Sequence, residues 1–579
     1  MNVLYRSGET HQGIPTYTPR LVSVDFQEET SGKANENHLG WSKLKFDEDL
    51  WRRVFSTLLL LFYEILLHWG GGWVLLEDYK FSRKLRLFLL PSDLAFICIE
   101  CLQINCRTGG VTTHSSEPLK KNLFLESLHL EDEAVGNTSS DSWKNGSRSE
   151  IQDKDIVECL ENGVQYWTDF SKVHYHPQSL YELSGLWMDI EDFNNYGFGR
   201  DVFSGGLRGE EINERLRFFI EECDHAQGIQ FVVDDTGGFS GVAGEFLENI
   251  ADEYANIPVL LYRVSPDTSI DPKSRKQTIS RNLHDVVSFS RLSALCKLVV
   301  PVGLPSLSRS RTSSFLRVED EKPYHTSAVY ASAIHSISLP FRMEQLGPSA
   351  QSSYTCGAMS VNDLVQILAG QSRQNIISIL DVSMPAPSFT GYPAQQSLLE
   401  NLQPLTPDVA EDAEDFQAVE SMTVHGVYRA GRQRASITEV KDAVQAAYDN
   451  AVTRPKFSHL SVARCPLPVP LPFPSIFGNL IGQHGELLDT PISGPASRGS
   501  LEVHSIPMAA RLRSSNAILP FLENRLGNLR KFGIARGALG TELLRNWGFG
   551  KDELEDIGET LSKMFTTLNP YSEESSDSD

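Results

Sequence analysis

Residues 229–244 read IQFVVDDTGGFSGVAG. The first five, Ile229 to Val233, form a continuous apolar run, as in a parallel strand covered on both faces. Two aspartates and a glycine-rich turn follow, and Phe246, Leu247, Ile250 and Tyr254 then recur at helical spacing. Pro258 stops that helix, and VLLYRV, residues 259–264, supplies a second buried strand. Upstream, residues 210–226 place Ile212, Leu216, Phe219, Ile220 and Cys223 on one helical face, with Gly228 as the terminator. Helix, strand, glycine turn, helix, strand is the unit of a doubly wound α/β fold.

The turn offers chemistry as well as geometry. At a helix start the main-chain N–H groups are unpaired and the helix dipole is positive, so Gly237, Gly238 and Gly241 could cradle a phosphate, with the Ser240 hydroxyl as a further donor. The competing reading is a tight turn whose glycines only allow close packing. Neither GxGxxG nor GxxxxGK[ST] is present. Asp234 and Asp235 are general-base candidates by position, although an aspartate before a glycine turn commonly serves as a turn or cap residue.

Outward from this unit, the chain of 579 residues is long enough for two or three domains, and its formal charge of −23 opposes nucleic-acid binding through phosphate neutralisation. Residues 21–26 read as another buried strand, expected in one sheet with 229–233 and 259–264. Residues 54–67 are strongly apolar but carry Glu64 and run into His68 and three glycines, short of the roughly 20 apolar residues a spanning helix needs. Residues 115–155 are polar, 385–436 read as a linker, and 465–475 are proline-rich and extended. Residues 514–564 read as two helices broken near residues 548–550, before an acidic tail. Cys98, Cys101 and Cys106 lack a second ligand pair, and His174 with His176 lacks further ligands, so no metal site is expected. With no secretory signal, Asn137 and Asn145 are not expected to be glycosylated and the thiols are expected free.

Several of these segments carry a family resemblance. PRLVSVDF (19–26), NNYGFGRDVFSGG (194–206), the run ending in DDTGGFSG (241), and NAILPFLENRL (516–526) with the helix after it resemble the tubulin superfamily in order and kind. LYRSGETHQGIPTYTPRLVSVDF (4–26), YHPQSL (175–180), DDTGGFSGVAGEFLENIADEY (234–254) and SAVYASAIHSISLPFR (327–342) resemble the misato family, divergent relatives of tubulin. The resemblance covers residues 1–50 and about 110–565, and the block 52–109 fits neither family, reading as a translated intron or a faulty gene assignment.

The resemblance implies a tubulin/FtsZ-like fold. Residues 1–50 and 110–320 would form the nucleotide-binding-type domain, 51–109 an atypical insert, 321–505 a second α/β domain, 506–565 the C-terminal helices and 566–579 the tail. It places Asn194 and Asn195 beside the turn as further nucleotide contacts. It also implies GTP as the cofactor, against which stand bulky Phe239 and Val242 where tubulin has small residues, and the missing counterpart of tubulin's opening strand and nucleotide loop. The expectation is therefore weak or no GTP binding and no catalytic residue. Misato-family members are associated with mitochondrial distribution, morphology and inheritance, which implies a cytoplasmic protein at the mitochondrial outer surface. Its partners would be proteins of that surface or the cytoskeleton, with peripheral membrane association. The alternative is a GTP-binding, self-assembling GTPase. The C-terminal helices, 516–564, are the expected partner surface, and Glu573, Glu574, Asp577 and Asp579 a solvated tail.

Overall fold

In the computed structural model, the described residues are 5–9, 15–26, 74–75, 88–89, 122–128, 152–164, 167–171, 175–183, 193–265, 274–343, 354–370, 375–389, 398–411, 413–429, 433–535 and 539–569. The expectations for Cys98, Cys101, Cys106, Asn137, Asn145, His174 and the acidic tail lie outside them. The chain divides into two units, one of Met1–Gln27, Ala34–Lys43 and Lys121–Asp579, the other of Glu28–Lys33 and Leu44–Lys120. In the second unit the described residues are two short antiparallel strands, Val74–Leu75 and Phe88–Leu89.

The first unit is built on parallel strands and a mixed sheet. β1 (Ser23–Phe26) runs parallel to β2 (Leu180–Leu183). Before β2 comes helix α1 (Asp153–Gly163). After β2 come α2 (Tyr196–Phe203), α3 (Arg208–Glu221), β3 (Ile229–Asp234), α4 (Phe239–Glu253), β4 (Val259–Val264), α5 (Arg275–Leu295) and β5 (Leu298–Val302). Strands β3, β4 and β5 are parallel, in that order. Helices α6 (Pro323–Ser338) and α7 (Val361–Ala369) lead into a six-stranded sheet. Its strands are β6 (Thr355–Cys356), β7 (Ile379–Ser383), β8 (Gln403–Pro404), β9 (Val419–His425), β10 (Phe457–Ala463) and β11 (Met508–Ser514), in the spatial order β6-β10-β9-β11-β7-β8. Helix α8 (Ile437–Asn450) connects the parallel pair β9 and β10. Helix α9 (Leu519–Asn528), a π-helical turn through Ile534, a short helix at Thr541–Asn546 and α10 (Lys551–Leu568) complete the unit.

Strand periodicity sets the core. In β4, Val259 and Leu261 face a core made with α2, α4, α5, α9 and α10, while Leu260, Tyr262 and Val264 face a second core with α6 and α7. The second core also takes Met508, Ala510 and Leu512 from β11, so it lies between both sheets. A main-chain bridge from Val299 to Ile377 links β5 to the segment entering β7. No helix among the described residues is long and apolar enough to cross a membrane.

Three expectations change. The strand near residues 21–26 does not pair with β3 among the described residues; it pairs with β2. An apolar strand sequence specifies burial and direction but not its neighbour. Residues 385–436 are not simply a linker, because β9 lies within them as a buried strand of the six-stranded sheet. Its Glu420, Ser421, Thr423 and His425 disguise it as polar, yet all four are buried, and the Glu420, Ser421 and His425 side chains have hydrogen-bond partners. The region given to C-terminal helices from 506 begins with β11, whose Arg511 and Arg513 break the apolar run for a reason given below.

Candidate functional site

The glycine turn joins β3 to α4. Asp234 closes its first half, accepting hydrogen bonds from the Thr236 N–H at 2.9 Å and the Thr236 hydroxyl at 2.7 Å. Opposite stands the start of α2, where the Asn195 side chain accepts the Phe198 N–H at 3.0 Å as an N-cap and its amide donates to Asn194 Oδ1 at 3.2 Å. The structure thus brings the six expected residues together: Gly237, Gly238, Ser240 and Gly241 on one side, Asn194 and Asn195 on the other. A Cβ at Gly237 would lie 2.7 Å from the Phe193 carbonyl oxygen and 3.7 Å from the Asn194 Cα.

The donors of this turn are used within the chain. Gly238 N–H donates to the Phe193 carbonyl at 2.9 Å, Ser240 N–H to the Gly237 carbonyl at 3.1 Å, and Gly241 and Val242 N–H both to the Gly238 carbonyl. The Ser240 hydroxyl donates to the Gly237 carbonyl at 2.7 Å. The Phe193 ring lies against Gly238, where a Cβ would meet it at 2.7 Å, and packs edge-on to Phe198 and Phe239.

The glycines allow two helices to touch. A Cβ on Gly199 of α2 would fall 1.7 Å from the Gly238 carbonyl oxygen, and one on Gly241 would fall 2.1 Å from the Tyr196 carbonyl oxygen. Gly244, one turn on, faces the Tyr196 phenol. Gly197 lies against the main chain at Trp547, close to α10. The significance of Gly197 and Gly199 was missed from sequence, although their alignment with the glycines at 238, 241 and 244 was a readable signal for a helix–helix joint.

Behind the turn is a buried ionic network that sequence reasoning also missed. The Asp235 carboxylate accepts a hydrogen bond from the Ser288 hydroxyl and forms an ion pair with Arg263, which is itself 2% exposed. Arg263 also pairs with Asp285, which receives Arg525 from α9 at 3.0 Å. Burial pushes the Asp235 carboxyl upward against the pull of Arg263. Burial would also raise Asp285, but Arg525 and Arg263 outweigh it and hold that carboxyl at about 2. His284 is buried; its Nε2 lies 3.1 Å from the Asp235 carbonyl oxygen and 3.4 Å from the Ser240 hydroxyl, and burial lowers its pKa to about 4. Ser240, His284 and Asp235 are shut off from solvent, so their proximity makes a structural joint and not an exposed nucleophile with its base.

A second polar cluster joins Glu161 of α1 to Glu319 and His325. Lys322 lies 3.5 Å from Glu161 and 3.0 Å from Glu319, supplying the positive charge a cation would bring. His325 Nδ1 accepts the Glu319 N–H, which leaves Nε2 as the donor to Glu161 at 2.5 Å. His176 instead caps a short turn and stacks on Phe218.

Residues 158–343 match the tubulin domain family. Over nearly the whole chain the sequence is similar to misato proteins. It is 26% identical to Protein misato homolog 1 of Bos taurus across 98% of this chain and 90% of that protein. It is 25% identical to the Homo sapiens homolog, also over 98% and 90%. Against Protein misato of Drosophila melanogaster it is 26% identical, over 96% and 88%. With its matched tubulin domain, parallel strands and glycine turn, the chain is a divergent, tubulin-like α/β protein similar to the misato proteins over nearly its whole length.

Proposed function

We propose that this protein is a non-catalytic, tubulin-like scaffold or adaptor acting on the cytosolic face of the mitochondrial outer membrane, in mitochondrial distribution, morphology and inheritance. The observation that carries the non-catalytic part is the closed turn. A phosphate needs several convergent donors, whereas Gly238, Ser240 and Gly241 N–H and the Ser240 hydroxyl serve carbonyls of the chain itself. GTP finds no ready cradle there. The mitochondrial part rests on the misato resemblance.

Partner binding falls to the C-terminal helices. α10 buries Leu554, Ile557 and Leu561 and turns Asp552, Glu555, Asp556 and Glu559 outward, a stripe suited to a basic protein surface. Two measurements test the reading. Calorimetry and nucleotide analysis of the purified protein should show no bound GTP and no micromolar, Mg-dependent binding; either finding would favour the self-assembling GTPase instead. In cells, loss of the protein should alter mitochondrial shape and distribution, and a variant with Gly237 and Gly241 left intact but the α10 acidic stripe neutralised should fail to rescue. Normal mitochondria in the complete absence of the protein would end the functional assignment.

A further inference from the structure

Between β5 and α6 the chain follows residues 303–322, a connection whose one helical feature is a single 3-10 turn at Arg311–Ser313. Connections of this length without elements of their own are uncommon in compact domains and are often functional. Its sequence includes Arg309-Ser310-Arg311-Thr312-Ser313-Ser314-Phe315. Arginines sit five and three residues before Ser314, and an apolar residue follows it directly. That is the pattern read by basophilic serine/threonine kinases, whose acidic clefts take the two guanidinium groups and whose apolar pocket takes the next side chain. Arg309, Arg311 and Ser314 are all exposed, while Thr312 and Ser313 between them are buried. Ser314 is therefore the outward hydroxyl of the segment.

The surroundings give a phosphate there something to do. The Ser314 hydroxyl donates to the Arg311 carbonyl at 2.5 Å, at the C-terminal end of the 3-10 turn. A phosphoryl group cannot make that donation, and its two negative charges would face the carbonyl end of the turn, where anions are disfavoured. Arg311 reaches across to Glu411 at 3.4 Å, and both are exposed. Glu411 belongs to a segment tied to α9. Ala410 N–H donates to the Ala517 carbonyl, Asp415 accepts the Asn516 N–H, and Asp408 lies 3.6 Å from Arg525. The Arg311–Glu411 pair is thus a side-chain tie between the 303–322 connection and the segment that seats the C-terminal helices.

We propose that Ser314 is a phosphoacceptor for a basophilic protein kinase, and that phosphorylation transfers Arg311 from Glu411 to the new phosphate. In the transfer, Ser314 Oγ forms a bond to the γ-phosphorus of ATP, the bond from that phosphorus to the bridging oxygen breaks, ADP leaves, and the serine proton passes to the kinase's base. Entry to a kinase cleft requires residues 309–315 to become extended. Ser313 N–H to the Ser310 carbonyl and Ser314 N–H to the Arg311 carbonyl, both at 3.1 Å, close the turn; opening it also releases the Ser310 N–H and the Ser310 and Ser313 hydroxyls from the Leu307 carbonyl, the Leu316 N–H from the Ser313 carbonyl, and the Phe315 carbonyl from the Gly478 N–H. All but the last of these bonds lie within 307–316, so the opening is a local one. The mark loosens the 405–415 segment and with it the seat of α9.

The test uses the purified full-length protein, Mg-ATP and a kinase selective for arginine at the −5 and −3 positions, with sites located by mass spectrometry and backbone protection by hydrogen exchange. The expected result is incorporation at Ser314, lost in Ser314→Ala and reduced about tenfold in Arg309→Gln/Arg311→Gln, as for loss of charge-assisted contacts. Thermal unfolding of Ser314→Ala should match the parent, which separates loss of the acceptor from loss of the fold. In the phosphorylated protein, amides at 405–415 should exchange faster, and Glu411→Gln should give the same acceleration without phosphate. Labelling of a 305–318 peptide but not of the native protein would overturn the site. Equal exchange at 405–415 with and without the phosphate would overturn the coupling.

Discussion

Two buried ionic networks, one behind the glycine turn and one inside the six-stranded sheet, use the same parts to different ends. In each, one aspartate serves two arginines: Asp285 takes Arg263 and Arg525, and Asp381 takes Arg511 and Arg513. Each holds a second carboxylate, Asp235 in the first and Glu420 in the second. The sheet network reads register. Asp381 stands opposite Arg511 on β11, Glu420 opposite Arg513, and Arg511 reaches Glu420 diagonally at 3.2 Å while the Tyr448 phenol of α8 donates to Glu420. A slip of one residue would break every pair. The turn network reads docking, because Arg525 and Asp285 come from helices 240 residues apart and meet only when α9 seats on α5. Charge buried beside the turn holds domains together and is not arranged around an open pocket.

The largest expected effect separates the two. In Asp285→Asn, Arg263 and Arg525, 2% and 6% exposed, lose their shared anion. Burial drives the remaining carboxyl, Asp235, toward its neutral form, so it compensates poorly. Breaking a buried pair this way costs roughly 3–5 kcal/mol. Asp381→Asn strands arginines that are 14% exposed and leaves Arg511 its bond to Glu420, so its cost should fall below that range. Urea unfolding of both variants measures the difference, and hydrogen exchange should show α9 and α10 loosened only by Asp285→Asn. Equal losses, with α9 undisturbed, would mean that the turn network carries no docking role.

Next in size is the helix joint over that network. Gly199→Ala and Gly241→Ala each press a methyl against main chain, which has nowhere to yield, and should cost about 1–3 kcal/mol. Gly163 and Gly527 have open space at the same position and ordinary backbone, so alanine there should be neutral or stabilise by up to about 1 kcal/mol. If Gly199→Ala is as mild as Gly527→Ala, the glycines are not packing residues, and the phosphate reading of the turn regains ground.

These joints mark where the sequence was legible. The runs at 229–234 and 259–264 declare themselves because their apolar residues dominate: Ile229, Phe231 and Val233 pack on one core, and β4 meets a core on each face. The expected cover on both faces fails for β3, where Val232 is exposed, and Gln230 and Arg263 are the polar residues inside the two runs. The turn's location followed directly. The donors' employment did not, because it depends on the Phe193 carbonyl, 45 positions before Gly238, and on the approach of α2. β9 and β11 were hidden for the opposite reason: Glu420, Arg511 and Arg513 look like surface until their partners on neighbouring strands are known.

Acidification tests the comparison more gently, through one histidine in each region. His284 beside the turn and His425 in the sheet are both lowered to about 4, chiefly by burial. His425 is held neutral between the Ser336 hydroxyl at 2.9 Å and the Cys465 carbonyl at 3.3 Å. With an unfolded value near 6.5, the unfolded chain binds the proton first. Stability therefore falls as pH drops from about 6.5 toward 4, by up to about 1.4 kcal/mol per pH unit for each histidine. Asp235 acts in the other sense. Its raised folded value means that the folded state takes up a proton before the unfolded one does, so its contribution grows as pH falls and offsets His284. The contributions add, so His284→Gln and His425→Gln should each flatten the acid limb by a similar amount, in urea midpoints measured at about pH 7.5, 6 and 5, whereas Asp235→Asn should steepen it. An acid limb unchanged by Asp235→Asn would show that Asp235 stays ionised beside Arg263.

The smallest effect concerns the long connection between β1 and β2. Residues 27–179 link β1 to β2, and they include the atypical block 51–109. Closing a long connection costs entropy only logarithmically, so excising a block of more than a third of it and rejoining the chain should stabilise the fold by roughly 0.4 kcal/mol. The helix α1, which the same connection carries, is anchored independently. Ile156 and Leu160 pack with Phe124 and Tyr324, and Glu161 is tied to His325 and to the Ser475 N–H. Those contacts should survive the excision, and the difference between Asp285→Asn and Asp381→Asn should survive with them. The measurement is the unfolding midpoint of the shortened chain, alone and with each substitution. A loss of several kcal/mol would show that 51–109 supplies part of the core on which β1 and the turn depend, and would place the block inside the fold that the misato relatives share.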